Sequence, residues 1–278
     1  MIGRTASVIL LLLFSCILVK SVYPQKLNLL MTPDDRNQFA FSFDKTFYKG
    51  QNNISTLTGV YQLSCDVPIS SRFNIVGIIP FINFSTDLDN MYYSDDYSKN
   101  GPGNIFIGLQ MKPDQMDIGG SSITFGAFLP TADEDIASNG VINNYYDILK
   151  YMPNSLGLYF NYAFYKISED GFNYGFEAGP NILIPTRDNG SEGELLIHYA
   201  AGAGFRKDIF ELNAEFLGIG IVTDDDEDLN ERLVHQFSVG SILHFDNVAP
   251  KLFYRIYIND HFERLIDGTL GLGVTVSL

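Results

Sequence analysis

The feature that most constrains the fold is a repeated pattern in which apolar and polar side chains alternate along a series of short segments. In residues 268–278, Leu270, Leu272, Val274 and Val276 share one parity, while glycine, serine and threonine occupy the other. Successive side chains of a β-strand point to opposite faces, so a period of two predicts a strand with one apolar and one polar face.

The same pattern predicts twelve strands across the chain. They are residues 38–47, 56–65, 73–83, 104–112, 121–130, 155–166, 172–184, 194–206, 209–223, 233–245, 251–258 and 268–278. Most exceed the usual globular strand of about five or six residues, and they match the roughly 9–11 residues with which a tilted strand crosses a bilayer.

The connections between these strands alternate in length. The shorter ones are residues 66–72, 113–120, 167–171, 207–208 and 246–250; the mostly longer, polar ones are 48–55, 84–103, 131–154, 185–193, 224–232 and 259–267. An even strand count with short turns at one rim and long loops at the other predicts a single all-β, antiparallel transmembrane barrel of the outer-membrane type. Both termini then lie at the short-turn, periplasmic rim.

Composition separates this hypothesis from its alternatives. A secreted β-sandwich or a water-soluble barrel also alternates, but its outer face carries many charges, whereas the charges here lie mainly in the loops. The formal charge of −15 argues against a nucleic-acid partner, because phosphate contacts need clustered Lys and Arg. An aromatic content of 14% excludes general disorder.

The N-terminus predicts export. Arg4 precedes an apolar run at residues 8–19, which fits a Sec-type signal peptide of residues 1–21, with a loose lipobox ending at Cys16 as the alternative. Residues 22–37 are then a periplasmic tail or a partial plug, and residues 38–278 are the barrel. The mature chain keeps one cysteine, Cys65, so it forms no intramolecular disulfide. The expected location is the outer membrane of a diderm bacterium.

Three motifs resemble those of a known family. They are DVPISSRFNIVGIIP at residues 66–80, GPGNIFIGLQ at 101–110 and FGAFLPT at 125–131. Together they are similar to the meta-pathway of phenol degradation family of outer-membrane barrels. The resemblance implies passive uptake or a general envelope role, and it carries over no catalytic residue. Leu278 stands where such barrels usually end in an aromatic residue.

If the apolar parity of each strand faces lipid, the other parity faces the lumen. The residues predicted to line the lumen include Glu177, His198, Arg206, Glu211, Asn213, Glu215, Gln236 and Arg255, together with Gln62, Gln110 and Asn161. Arg206 is expected diagonally close to Glu211 across a two-residue turn, within reach for an ion pair. These side chains either line a permeation path or form a closed polar core, and a twelve-stranded barrel is compatible with both.

The loops suggest weaker sites. The acidic run at residues 224–228 offers Asp224, Asp226 and Asp228 as ligands for a divalent cation that could bridge to lipopolysaccharide, and the acidic run at 133–135 could act in the same way. The alternative is that these runs are solvated loops whose charges repel one another. The pairs Tyr92-Tyr93 and Tyr145-Tyr146 suit an aromatic girdle at the outer rim or a stacking site for an aromatic ligand. No metal or other cofactor is expected.

Enzymatic function is a further alternative, since outer-membrane phospholipases are also twelve-stranded barrels with His and Ser two residues apart. None of the four His residues here is followed by Ser at that spacing; His235 and Ser238 are three apart and point to opposite faces of a strand. We therefore expect a passive channel for small, hydrophobic or aromatic solutes, or else a non-conducting structural or surface-interaction barrel. The expected partners are outer-membrane lipid, lipopolysaccharide and the barrel-assembly machinery.

Overall fold

The structure is a computed structural model that describes residues 36–50, 55–90, 93–112, 119–187, 193–223 and 232–278. These residues form thirteen strands: β1 Gln38–Tyr48, β2 Gly59–Pro68, β3 Phe73–Asn90, β4 Tyr93–Pro102, β5 Phe106–Met111, β6 Gly119–Phe128, β7 Ser155–Ile167, β8 Phe172–Pro185, β9 Glu194–Lys207, β10 Phe210–Ile221, β11 Leu233–Leu243, β12 Val248–Tyr257 and β13 Ile266–Ser277. They also form the helices α1 Glu134–Asn143 and α2 Asp260–Glu263 and a 3-10 helix, Tyr145–Lys150.

The strands close into a ring. Each strand pairs antiparallel with its neighbour, β1 pairs with both β2 and β13, and the β2–β3 pairing completes the closure. β4 and β5 are two parts of one barrel strand interrupted at residues 103–105, because β3 pairs with β4 along its second half and with β5 along its first half. The predicted fold, a closed antiparallel barrel of twelve strands, is confirmed.

The two faces of the wall differ in the way that the alternation predicts. Along β8, Phe172, Phe176 and Ile182 are exposed on the outside, while Asn173 and Glu177 are buried on the inside. A large apolar side chain left in water rather than in apolar surroundings costs roughly 1.5–3 kcal/mol. A whole wall of such side chains is therefore stable against lipid, and the barrel is membrane-spanning. No helix among the described residues is long and apolar enough to cross a membrane.

Short turns lie at the rim where β1 begins and β13 ends, here called the terminal rim. The β9–β10 connection is the tightest and contains Asp208 in the left-handed region, with φ 51°. Its two central residues are 208 and 209, one position later than predicted. β12 likewise begins at Val248, inside the turn predicted at 246–250. Both shifts preserve the face that each strand presents.

The rim opposite, here called the loop rim, departs more from prediction. Residues 84–103 were expected as a polar loop, and that expectation is wrong. β3 continues to Asn90 and pairs with β4 in a hairpin in which Phe81 faces Pro102 and Asn90 faces Tyr93. The backbone hydrogen bonds of a hairpin do not depend on the side chains, so strand pairing persists where apolar alternation stops.

The connection between β6 and β7, residues 131–154, is the largest departure. It was expected as an outer loop, but it contains α1 and the 3-10 helix and folds into the barrel; it is called the inward segment below. Ile136 and Ala137 of α1 are buried, and so are Ile148 and Leu149 of the 3-10 helix. The inward segment therefore fills the lumen from the loop rim.

Candidate functional site

Both ends of the inward segment are tied to the wall by one buried residue, Asn104, which lies in the break between β4 and β5. Its side-chain nitrogen Nδ2 donates to the carbonyl oxygens of Leu149 at 2.9 Å and Met152 at 2.7 Å. Its Oδ1 accepts from the backbone nitrogens of Thr131 at 3.0 Å and Ala132 at 2.9 Å. One amide thus holds both ends of the inward segment.

The three motifs that carry the family resemblance meet at this anchor. The Thr131 hydroxyl donates to the Gly103 carbonyl at 2.8 Å, and the Gly103 nitrogen donates to the Pro80 carbonyl at 2.9 Å. Gly103 has no room for a side chain, because a Cβ there would stand 2.5 Å from the Lys150 carbonyl oxygen and 2.8 Å from Pro80 Cγ. Pro80, Gly103 and Thr131 therefore form a joint that allows the segment to turn inward.

α1 packs against the wall on the loop-rim side. The buried side chains of Ile136 and Tyr151 pack against Val60 and Ile82. A side chain at Gly140 would clash with the Tyr151 ring. The Asp133 carboxylate caps the helix by accepting from the Asp135 nitrogen at 2.9 Å.

The 3-10 helix contacts the opposite wall through hydrogen bonds. Tyr146 donates to the Glu177 carboxylate at 2.7 Å, and Asn161 Nδ2 donates to the same carboxylate at 3.1 Å. Asn161 also bonds His198, which bonds Asn181. Burial and the Glu177 carboxylate raise the pKa of the Tyr146 phenol well above its ordinary value. Tyr146 therefore stays protonated and remains the donor.

Charged groups complete the contact between the segment and the wall. Lys150 Nζ lies 2.8 Å from Asp147 Oδ2 and donates to Gln62 Oε1 at 2.8 Å. On the wall itself, Arg255 Nη2 lies 3.3 Å from Asp44 Oδ2 and 3.4 Å from the Asn143 carbonyl oxygen. The segment is therefore held by polar contacts as well as by packing.

A cavity lies within the barrel, bounded by the inward segment and the wall; its empty volume, including its opening to solvent, is about 1150 Å³. One side is lined by apolar and aromatic side chains, among them Phe106, Phe128 and Tyr159, whose ring centroids lie 4.7–6.0 Å apart. The other side carries Lys251 and Arg255 with Asp44. The cavity therefore offers an aromatic and a charged surface to any molecule that enters it.

The eight predicted lumen residues fall into three sets. Glu177, His198 and Arg255 line the cavity. Glu211 and the half-buried Asn213 and Arg206 lie toward the terminal rim, and Glu215 and Gln236 are buried outside the cavity lining. The structure thus brings only three of the eight to the cavity.

The predicted geometry of Arg206 and Glu211 is wrong in one respect. The turn lies one residue later than expected, so the two residues face each other directly in the register instead of diagonally. The Glu211 carboxylate accepts from Asn173 at 3.0 Å and Asn213 at 2.7 Å and contacts His244 Nε2 at 2.8 Å.

The structure also corrects two loop predictions. Tyr145-Tyr146 is not a rim girdle, since Tyr146 lies inside the barrel and Tyr145 packs on Phe262 at 5.2 Å between ring centroids. The acids at 133–135 serve α1: Asp133 caps the helix, and Glu134 and Asp135 pair with Arg187 and Lys99. The residues Asp224, Asp226 and Asp228, and the side chains of Tyr92-Tyr93, lie outside what the structure describes. No cluster of three or more potential metal ligands occurs among the described residues.

Sequence reasoning missed several residues of the site. Asp44 and Lys251 share the inward parity of predicted strands and could have been found by the rule used for Arg255. Asn104, Asp147 and Lys150 depend on the inward segment, which the alternation does not reveal. The nearest signal was the GPGN motif at residues 101–104, where glycines within a strand indicate a close backbone approach.

Comparison with solved structures places this geometry among known barrels. The structure is similar to that of an outer membrane channel from Pseudomonas putida F1, with a TM-score of 0.61 and 12% identity over 93% of this chain and 100% of that one. It is also similar to the NanC porin, with a TM-score of 0.54 and 7% identity over 87% of this chain and 100% of that one. No family model matches the chain, and no curated protein matches its sequence. At these identities the likeness concerns the fold alone: this chain folds as barrels of that kind do.

Proposed function

We propose that this protein is a passive outer-membrane channel for small, hydrophobic or aromatic solutes, closed here by its inward segment. The observation that carries the proposal is the cavity inside the barrel, which has an aromatic side at Phe106, Phe128 and Tyr159 and a charged side at Lys251 and Arg255. A ring that enters contacts the aromatic side, while a polar substituent meets the other.

The contacts of the inward segment support a closure that can be reversed. Lys150 and Tyr146 attach to the wall by hydrogen bonds to Gln62 and Glu177, and such bonds contribute about 1 kcal/mol each, or somewhat more where a charged group takes part. Opening must also break the four hydrogen bonds of Asn104 and unpack the buried side chains of the segment, so we expect open intervals to be brief and infrequent.

The similar structures support the same proposal, since one is described as an outer membrane channel and the other as a porin. The motif resemblance to the phenol meta-pathway family also supports a channel, because that resemblance implies passive uptake. The three motifs meet at the joint of the inward segment. The location that fits is the outer membrane of a diderm bacterium, reached by Sec-type export through the signal at residues 1–21. The matching partners are outer-membrane lipid, lipopolysaccharide and the barrel-assembly machinery.

A flux assay tests the channel. The full chain without its signal is reconstituted into phospholipid vesicles, and the entry of phenylalanine and of arabinose is followed by vesicle swelling; neither solute crosses the lipid rapidly by itself. We expect entry of both above protein-free vesicles, with phenylalanine faster despite its larger size. Rates equal to those of protein-free vesicles contradict a channel, and a faster arabinose rate contradicts the aromatic preference.

A second candidate is a non-conducting structural or surface-interaction barrel. It is favoured by the dense pairing inside the lumen, where Glu177, His198 and Asn161 satisfy one another without a solute. On this reading the acidic residues 224–228 contact partners or divalent ions at the cell surface. Replacing those acids with Asn or Gln then weakens envelope integrity, while the flux assay gives no solute entry; a channel gives the reverse pattern.

A further inference from the structure

A second layer of buried side chains lies on the far side of the cavity from the inward segment, near the terminal rim. It is called the lower layer here, and it consists of inward-facing side chains from most of the wall, among them Asp66, Asn74, Tyr165, Asn173, Glu211 and His244. None belongs to the inward segment.

The burial of the lower layer shows that the lumen is filled at this level. Asp66 and Asn74 are 0% exposed and Glu211 is 1% exposed, although all three are polar and point inward. In a water-filled pore the inward polar side chains are wet. Water is therefore excluded here by side chains of the wall itself.

Contacts within the lower layer reach across strands. Asn173 on β8 donates to Glu211 on β10 at 3.0 Å, passing over Gly204 of β9, which has no side chain. Tyr165 on β7, the strand that pairs with β8, is likewise buried. On the other side of the barrel, Asn74 donates to Asp66 at 2.6 Å.

We propose that the lower layer is a second constriction, in series with the inward segment, so that a solute has to pass the two barriers one after the other. The proposal rests on the channel function proposed above. The cavity is then a compartment between two barriers, and Tyr165 and Glu211 are residues that determine permeation even though they lie outside the cavity lining.

Two barriers in series give a distinctive pattern of access and flux. Ser42 lines the cavity, so Ser42→Cys, in a Cys65→Ser background, reports whether a water-soluble maleimide reaches the cavity in the solubilised barrel. Either barrier, once opened, admits the reagent. Flux through vesicles, by contrast, requires passage of both barriers in turn, so with comparable barriers the removal of one raises flux by no more than about twofold.

The experiment uses Asn104→Ala to release the inward segment and Tyr165→Ser with Glu211→Ser to thin the lower layer. We expect each change alone to speed labelling of residue 42 at least tenfold while phenylalanine flux stays within twofold of wild type. The combination should raise flux at least tenfold. The control, Tyr162→Ser with Leu212→Ser, truncates exposed side chains on the outer face of the same two strands and should leave labelling and flux unchanged.

Clear results overturn the proposal. If Asn104→Ala alone raises flux as much as the combined variant, the lower layer is no constriction while the channel function stands. Unchanged labelling of residue 42 in the Tyr165→Ser/Glu211→Ser variant also shows that the lower layer is no constriction. If labelling follows the expected pattern but neither wild type nor the combined variant passes any solute, the channel function itself is wrong. Folding is checked by heat-modifiable gel mobility, and Asn173→Ser with His244→Ser replaces the lower-layer variant if its folded band is lost.

Discussion

At the scale of single residues, Asn104 uses all the hydrogen-bonding capacity of its side chain. An amide offers two donors and an oxygen with two lone pairs, and here they meet Leu149, Met152, Thr131 and Ala132. Another amide, Asn173, reaches Glu211 only because Gly204 leaves the space between them free. The hydrogen bonds of these two asparagines, and the space left by one glycine, therefore fix the arrangement of the side chains inside the barrel.

Loss of the Asn104 amide should free the inward segment. In Asn104→Ala four hydrogen bonds are lost, which weakens the closed state by on the order of 2–4 kcal/mol and raises the open fraction more than tenfold. Lys150 is the only Lys or Arg in residues 131–154 and is buried in the closed state, so trypsin cleavage after it reports opening. We expect cleavage at least tenfold faster than in wild type. Asn83→Ala, which removes an exposed bond to the Leu57 carbonyl, should cleave at the wild-type rate; equal rates in both variants would contradict the role of Asn104.

A side chain at Gly204 should destabilise the barrel. A Cβ there would collide with Asn213 Oδ1 and the Leu212 carbonyl and would stand 2.7 Å from Asn173 Oδ1. Gly204→Ala is expected to lower the free energy of unfolding by about 1–3 kcal/mol, measured by urea titration in detergent micelles. Gly202→Ala on the same strand is the control, because its Cβ would meet the flexible Glu215 Cγ at 3.0 Å and should cost less. Equal effects of the two substitutions count against this account.

At the scale of elements, what the sequence could predict depends on where each element lies. The strands within the lipid layer were found because lipid demands an apolar residue at every second position, as in β13. The end of β3 escaped because it leaves that layer, and its polar residues no longer alternate. α1 escaped for another reason: it packs inside a polar lumen, where Ile136 and the buried Asn143 face protein together and no apolar stripe develops.

For the lumen residues, too, the sequence could predict one part of the arrangement and not another. Parity placed Glu177, His198 and Arg255 on the inside, because it depends only on the strand. Which inward residues reach the cavity depends instead on the inward segment and on how the strands are staggered around the ring, and neither can be read from one strand at a time.

The outer part of the β3–β4 hairpin should be dispensable for folding. Ser85 faces Ser98 in the register, so residues 86–97 can be replaced by an Asn-Gly turn without disturbing the pairs below. We expect heat-modifiable mobility to persist, because β4 pairs with β3 alone in the described sheet. Gly108→Pro, within the part of the same barrel strand that closes the wall, should abolish the folded band. Loss of the band in the trimmed variant contradicts the prediction.

At the scale of the whole molecule, the outer face of the barrel wall is apolar, while the interior holds buried polar side chains together with apolar ones that pack on the inward segment. Membrane depth, rather than burial, should therefore decide the cost of a charge on the outer surface. Leu63 lies near the middle of β2 and is 57% exposed, and Ile69, just beyond the end of that strand, is also 57% exposed.

This pair of residues allows a matched test. Leu63→Arg should destabilise the barrel in lipid by roughly 2–4 kcal/mol, whereas Ile69→Arg should cost about 0–1 kcal/mol, because the penalty falls with distance from the bilayer centre. Urea unfolding of both variants in phospholipid vesicles measures the difference. Similar costs at the two positions indicate that the exterior is not immersed in lipid as described.

The double attachment of Asn104 has a kinetic consequence. One side chain, that of Asn104, holds both the start and the end of the inward segment. Displacement of that side chain therefore releases both ends together. Departure should therefore be cooperative, with closed and open forms populated and few partly detached intermediates. In the Tyr165→Ser/Glu211→Ser variant, where the inward segment is the barrier left in place, a conductance record should show discrete steps rather than a graded current.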